Sequence, residues 1–180
     1  MYKSAATQLL IQSYVEGAKE SGSVCHEVAI ADLLFNYNKM FSSHMKLELE
    51  SDLQRVVREL KWAHHVAVFC PVFESHIPAK LMGFFDRLFT PEDHSFGAGV
   101  NRLGDYFGKS VRIISILEEP LFNQWRRDPQ INYIAIKRTQ FERCRMSPVH
   151  TCTLGMFHQL DNKYAEKWVG KMRKFGQQGI

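Results

Sequence analysis

The sequence predicts an α/β protein in which a parallel sheet is covered by helices on both faces. Val66 to Cys70 is an apolar run without alternation, which suits a strand covered on both faces, Val111 to Leu117 reads as a second buried strand, and Val149 to Leu154 as the last strand. Around them stand segments whose apolar residues recur at i, i+3, i+4 and i+7, the helical period. Strands and helices alternate, which calls for right-handed crossovers and a parallel sheet.

Residues Ser4 to Ser21 predict the first helix. Leu10, Tyr14 and Ala18 share a face with Ile11 and Val15, Ser4 can cap its start, and Gly22 stands where a C-terminal cap is wanted. Val24 to Ile30 predicts a strand, after which Leu34 to Glu50 shows no clear period. Ser51-Asp52 can cap a second helix with Leu53, Val56, Val57, Leu60 and Ala63 inward. It leads into the strand Val66 to Cys70, which Pro71 is expected to end. After the loop Pro71 to Ile77, Pro78 takes a first helical position, where its missing N–H is no loss, and Leu81, Met82, Phe85 and Leu88 form the stripe. Glu92 to Gly108, with Gly97, Gly99 and Gly104, reads as a long loop. The strand Val111 to Leu117 is followed by a loop over Glu118 to Trp125, a helix from about Asn132 to Arg145 and the strand Val149 to Leu154. A closing helix, Asp161 to Phe175, carries Tyr164, Trp168, Met172 and Phe175 on its inner face.

With 180 residues, 45% of them hydrophobic, the chain is expected to form a single domain over residues 1–180. The net charge of +4, from 23 basic and 19 acidic residues, is too dilute for a nucleic-acid footprint. No window approaches the roughly 18 apolar residues of a membrane span, and the start lacks a signal-peptide layout, so the expected compartment is the cytoplasm. Cys25, Cys70, Cys144 and Cys152 fall at no metal or redox spacing and are expected as reduced, buried thiols. His64, His65, His150 and His158 have no ligand spacing either, so no metal site is expected.

The stretch Pro71-Val72-Phe73-Glu74-Ser75-His76-Ile77-Pro78-Ala79-Lys80-Leu81-Met82-Gly83-Phe84-Phe85-Asp86-Arg87-Leu88-Phe89-Thr90-Pro91 resembles the flavodoxin-like NAD(P)H dehydrogenase (quinone) family, whose pattern is close to P-L-W-W-G-S-M-P-A-x-L-K-G-W-x-D-R-V-F-T-P. Upstream, Leu60-Lys61-Trp62-Ala63-His64-His65 is similar to the family's L-K-W-A-D-H. Gly108-Lys109-Ser110, Pro120-Leu121-Phe122, Ala135-Ile136-Lys137-Arg138 and Cys144 through Pro148-Val149 resemble a branch of the same family, so the likeness spans nearly the whole chain.

The resemblance implies a flavodoxin-like three-layer sandwich with strand order 2-1-3-4-5. The family's first strand is missing from the given chain, which leaves three explanations open: a truncated start, remaining strands that close up, or a strand supplied by a partner. It also implies FMN, with FAD possible, NAD(P)H as electron donor, a quinone-like acceptor, and a homodimer with the site at its interface. By position, Ser4, Ala5 and Ala6 would hold the flavin phosphate, while Pro71, Val72, Phe73, Glu74 and Ser75 would line the ring and Ile116, Leu117, Glu118 and Glu119 flank its other edge. His76, paired with Glu74, is the candidate proton donor to a reduced quinone, with Tyr133 near a position that carries histidine in related members. The plain alternatives are an exposed loop pair and a rim aromatic.

This chain also departs from the pattern. Phe73 and Glu74 replace a tryptophan pair, Ser75 replaces glycine, and Leu117-Glu118-Glu119 stand where many members carry T-G-G. Three carboxylates there oppose the charge of a reduced flavin and its phosphate. A second reading is therefore a degenerate, flavin-free protein acting as an interaction or regulatory subunit. A third, an electron carrier without nicotinamide activity, fits the fold but not the positive net charge. Arg126-Arg127 could attract an NADPH phosphate or simply be a solvated charge pair.

Overall fold

The computed structural model describes residues 5–38, 49–72, 78–89, 106–117, 119–127, 141–142, 144–155 and 162–179. Within them, three strands, β1 (His65–Val72), β2 (Ser110–Leu117) and β3 (Val149–Gly155), form a parallel sheet in the order β1-β2-β3. Five α-helices surround it: α1 (Ala5–Glu20), α2 (Ser51–Trp62), α3 (Ala79–Phe89), α4 (Glu119–Arg127) and α5 (Asn162–Gln178).

Side chains alternate across the strands and build two cores. Cys70, Val72, Val111, Ile113 and Leu117 face α2 and α3, where they meet Leu53, Val56, Leu81, Phe85 and Leu88. Ile114, Ile116, Cys152 and Leu154 face the other way, toward Leu10 and Tyr14 of α1 and Trp168 and Met172 of α5. Every residue of β2 from Val111 to Leu117 is buried, which is why this strand shows no polar alternation in sequence. The expected layering, helices on both faces of a parallel sheet, is the one observed.

Helices α1 and α5 approach closely because glycine stands at the contact on each: a Cβ at Gly17 would lie 2.0 Å from the Arg173 carbonyl oxygen, and one at Gly176 2.0 Å from that of Tyr14. Glu20 locks the pair by bonding Arg173 and Gln177. Gly22, at φ 81°, ends α1 as expected: its N–H reaches the Lys19 carbonyl and that of Ser23 the Ala18 carbonyl, the paired bonds of a left-handed helix stop.

Four expectations are corrected. Residues 23–29 form no strand or other regular element, and lead into a short 3₁₀ turn at Ile30–Asp32. A strand needs a hydrogen-bonded neighbour, and among the described residues none lies beside this segment. It is held by packing instead: Val28 and Ile30 lie against the first core, while His26 stacks on Trp62 and bonds Glu59 at 2.5 Å.

Pro71 does not end β1, which continues to Val72. The carbonyl of His64 accepts from Ser110 N–H, so even-numbered residues of β1 turn their backbone groups to β2 and odd-numbered ones turn theirs outward. The absent N–H of Pro71 thus falls on the outer edge, where the ladder does not need it.

The expected loop from Glu118 to Trp125 is the helix α4. Pro120 stands in its first turn, where a missing N–H costs nothing, and Phe122 and Trp125 stack at 5.8 Å against the first core. Of the four cysteines, all free, Cys25 is half-exposed rather than buried, since its segment is not in the sheet. The expected helix Asn132 to Arg145 and loop Glu92 to Gly108 lie largely outside the described residues.

Candidate functional site

The topology gathers helix starts at one end of the sheet. α3, α4 and α5 each begin shortly after the end of β1, β2 and β3 respectively. α5 runs back along the sheet: the Tyr164 hydroxyl, near its start, accepts from Gly155 N–H at 3.2 Å, and Phe175, near its end, lies 3.9 Å from the Arg112 guanidinium at the start of β2. α1 lies alongside α5, and its Tyr14 hydroxyl meets His65 at the start of β1. Nine residues of helix separate Tyr14 from Ala5, about 13 Å of rise, so Ala5 and Ala6 also reach the carboxyl ends of the strands. Four helix N-termini thus surround this edge, and their opening amides lack intrahelical partners and carry partial positive charge.

The ladder brings the described candidate residues together, pairing Pro71 with Ile116 and Val72 with Leu117. The side chains of Val72, Ile116 and Leu117 point inward. Val72 and Leu117 are fully buried in the first core and Ile116 in the second, so the groups they can offer a ligand are backbone ones. Glu119 is the first residue of α4. Ser4, Phe73, Glu74, Ser75, Glu118 and both proton-donor candidates, His76 and Tyr133, lie outside the described residues. At the end of β3, Gly155 allows Phe122 to sit directly above the backbone: an added Cβ would meet its ring at 2.9 Å.

Sequence reasoning missed a set of residues on α4. Asn123, Arg126 and Arg127, at i, i+3 and i+4, line one cavity of about 410 Å³. The arginine pair was visible in sequence, but only the helix adds Asn123. The spacing of Phe122, Trp125 and Arg126 was the available signal. A second cavity, of about 510 Å³, lies at the opposite end of the sheet, between Phe107 and the turn at Arg145 to Ser147.

Two buried polar clusters brace the frame. Arg87 of α3, 3% exposed, donates two bonds to Glu50, at 3.1 and 2.7 Å, and one to the Asn36 carbonyl at 2.8 Å. Burial works against the Glu50 charge, but the backbone amides of Glu50 and Asn36 and the Arg87 fork together hold its carboxyl below the usual range. At the start of the sheet, His65 bonds Tyr14 through Nε2 and Ser110 through Nδ1, both at 2.7 Å. Burial first, then the neighbouring charges of Arg112 and His150, push its pKa down to about 4, so the ring is neutral at pH 7. Burial also pushes the Cys70 thiol up to about 12, which removes it as a nucleophile.

Residues 2–175 match a family described by its flavodoxin-like fold. The chain belongs to this flavodoxin-like family. No curated protein matches it. Among solved structures, it is similar to the NAD(P)H:quinone oxidoreductase from Methanothermobacter marburgensis, with 18% identity, a TM-score of 0.71, and coverage of 98% of this chain and 91% of that one. An FMN-dependent NADH-azoreductase from Bacillus anthracis, in complex with FMN, aligns at 16% identity and a TM-score of 0.61, covering 98% and 92%. An NADPH-quinone reductase from P. pentosaceus aligns at 14% identity and a TM-score of 0.60, covering 97% and 90%. At these identities the likeness establishes the fold. No helix among the described residues is long and apolar enough to cross a membrane, and no three or more of their His, Cys, Asp and Glu residues cluster as a metal site would need.

Proposed function

We propose that this flavodoxin-like protein is a flavin-dependent NAD(P)H oxidoreductase that reduces quinones or similar acceptors by two-electron hydride transfer. The observation that carries this reading is the convergence of four helix N-termini on the carboxyl ends of the strands, a built setting for an anionic cofactor. The described residues fit FMN through backbone groups. The opening amides of α1 at Ala5 and Ala6 would hold its phosphate, with Ser4 before them, and the chain at Pro71, Val72, Ile116 and Leu117 would border the ring. Phe73, Glu74, Ser75, Glu118 and Glu119 complete the proposed lining. FMN, when bound, supplies the hydride acceptance and two-electron delivery that the protein's own side chains lack. His76 is assigned to give a proton to the acceptor, with Tyr133 at its rim. FMN is preferred to FAD on the likeness in fold to the FMN-dependent azoreductase. A homodimer in the cytoplasm completes the reading.

One observation favours the flavin-free alternative: the space above Gly155 is filled by the Phe122 ring rather than left for a ligand. Steady-state assay of FMN-loaded protein with NADPH or NADH against a benzoquinone and an azo dye separates the two. The oxidoreductase reading expects parallel double-reciprocal lines, the mark of a ping-pong route. Turnover no faster than free FMN at equal concentration would sink it.

A further inference from the structure

We infer that the face of α4 formed by Asn123, Arg126 and Arg127 reads the adenosine 2′-phosphate of the electron donor, so that the protein takes NADPH in preference to NADH. This rests on the proposed oxidoreductase function and adds a substrate choice to it. The three side chains stand at i, i+3 and i+4, hence on one stripe, and line a cavity of about 410 Å³, a volume suited to a nucleotide fragment. Both guanidiniums are exposed, and among the described residues no carboxylate pairs with either. The cavity is also in the right place. Phe122, on the same helix, touches Gly155 at the end of β3, and Arg126 lies one turn further on, about 6 Å along the axis. From the start of α4, beside the end of β2, to Arg126 is about 10 Å, so a dinucleotide with its nicotinamide at the strand ends can extend its other half along this helix. Paired guanidiniums suit a dianionic phosphate, which offers each of them two oxygens, while the Asn123 amide supplies a neutral donor. A donor that ends in a 2′-hydroxyl gives these charges nothing to bind.

The test has a binding arm and a kinetic arm. Calorimetric titration of the whole protein with adenosine 2′,5′-bisphosphate and with 5′-AMP, at one low ionic strength, should show the bisphosphate binding about tenfold tighter or more. Arg126→Gln and Arg127→Gln should each lower bisphosphate affinity about tenfold and leave 5′-AMP unchanged, with Arg126→Lys retaining part of the binding. In turnover, either glutamine variant should raise the KM for NADPH by about the same factor at constant kcat and leave that for NADH within about twofold. Equal affinity for the two nucleotides, equal loss of both in the variants, or full competition by inorganic phosphate at the bisphosphate's own concentration overturns the inference. The binding arm needs no turnover. Selective bisphosphate binding without quinone reduction would refute the oxidoreductase function while leaving the phosphate site standing.

Discussion

Replacing Arg87 tests how α3 is anchored to the rest of the fold. This side chain leaves α3, where its Nη2 lies 2.7 Å from Glu50 Oε2, and it ties α3 to the segment before α2. Arg87→Met keeps most of the apolar stem and removes the fork. Breaking a buried ion pair from one side costs about 3–5 kcal/mol, because the other charge is stranded. The Glu50 side chain is 28% exposed and can take up water, which places the expected loss near the lower end, about 3 kcal/mol. For a chain of this length that corresponds to a fall in Tm of roughly 10 °C. Urea denaturation of wild type, Arg87→Met, Glu50→Gln and the double variant closes the cycle. Removing the stranded carboxylate should return about 1 kcal/mol or more to the Arg87→Met protein. A loss below about 1 kcal/mol in the single variant, or no relief in the double, would refute the reasoning.

His65 predicts an acid dependence of stability. Its folded pKa of about 4 lies below the ordinary 6.5, so between these values the unfolded chain binds the extra proton. The contribution is complete above pH 6.5 and is lost as pH falls toward 4, on the order of 2 kcal/mol once partial solvent access is allowed for. His65→Gln should flatten the pH profile of urea midpoints across that window, and an unchanged slope would show that the ring is not the titrating group. The backbone parity of β1 predicts that the amides of Ala67 and Phe69 exchange with solvent faster than those of Val68 and Cys70, which face β2. Residue-resolved hydrogen exchange checks this, and uniform protection along β1 would mean that its outer edge is covered.

The sheet was legible where its strands are apolar: Val66 to Cys70 reads directly as an unbroken apolar run, and Val111 to Leu117 as one interrupted only by Arg112 and Ser115, whereas Val149 to Leu154 carries His150, Thr151 and Thr153 and gives a weaker signal. Helices α1, α2, α3 and α5 were legible from their stripes. What misled was local apolar content without its partner: Val24 to Ile30 has strand-forming residues, yet pairing is a property of two segments, and a single one cannot report it. In α4 the signal was present in the spacing of Phe122 and Trp125, but Pro120 and the two preceding glutamates suggested a loop. The candidate site was legible in place rather than in chemistry. The register of Pro71 with Ile116 and Val72 with Leu117 joins segments that sequence alone could only guess were neighbours. That the side chains of Val72, Ile116 and Leu117 turn inward could not be known until the parity of each strand was fixed.

The measurement that bears most directly on the central claim is a titration of the purified protein with FMN, followed by quenching of flavin fluorescence. The account predicts one site per chain with a dissociation constant on the order of 1 μM or tighter. It also predicts weaker binding to Ala5→Pro and Ala6→Pro, each of which removes one opening amide of α1. No saturable quenching, with far-ultraviolet circular dichroism showing the protein folded, would contradict the account and leave the flavin-free reading in its place.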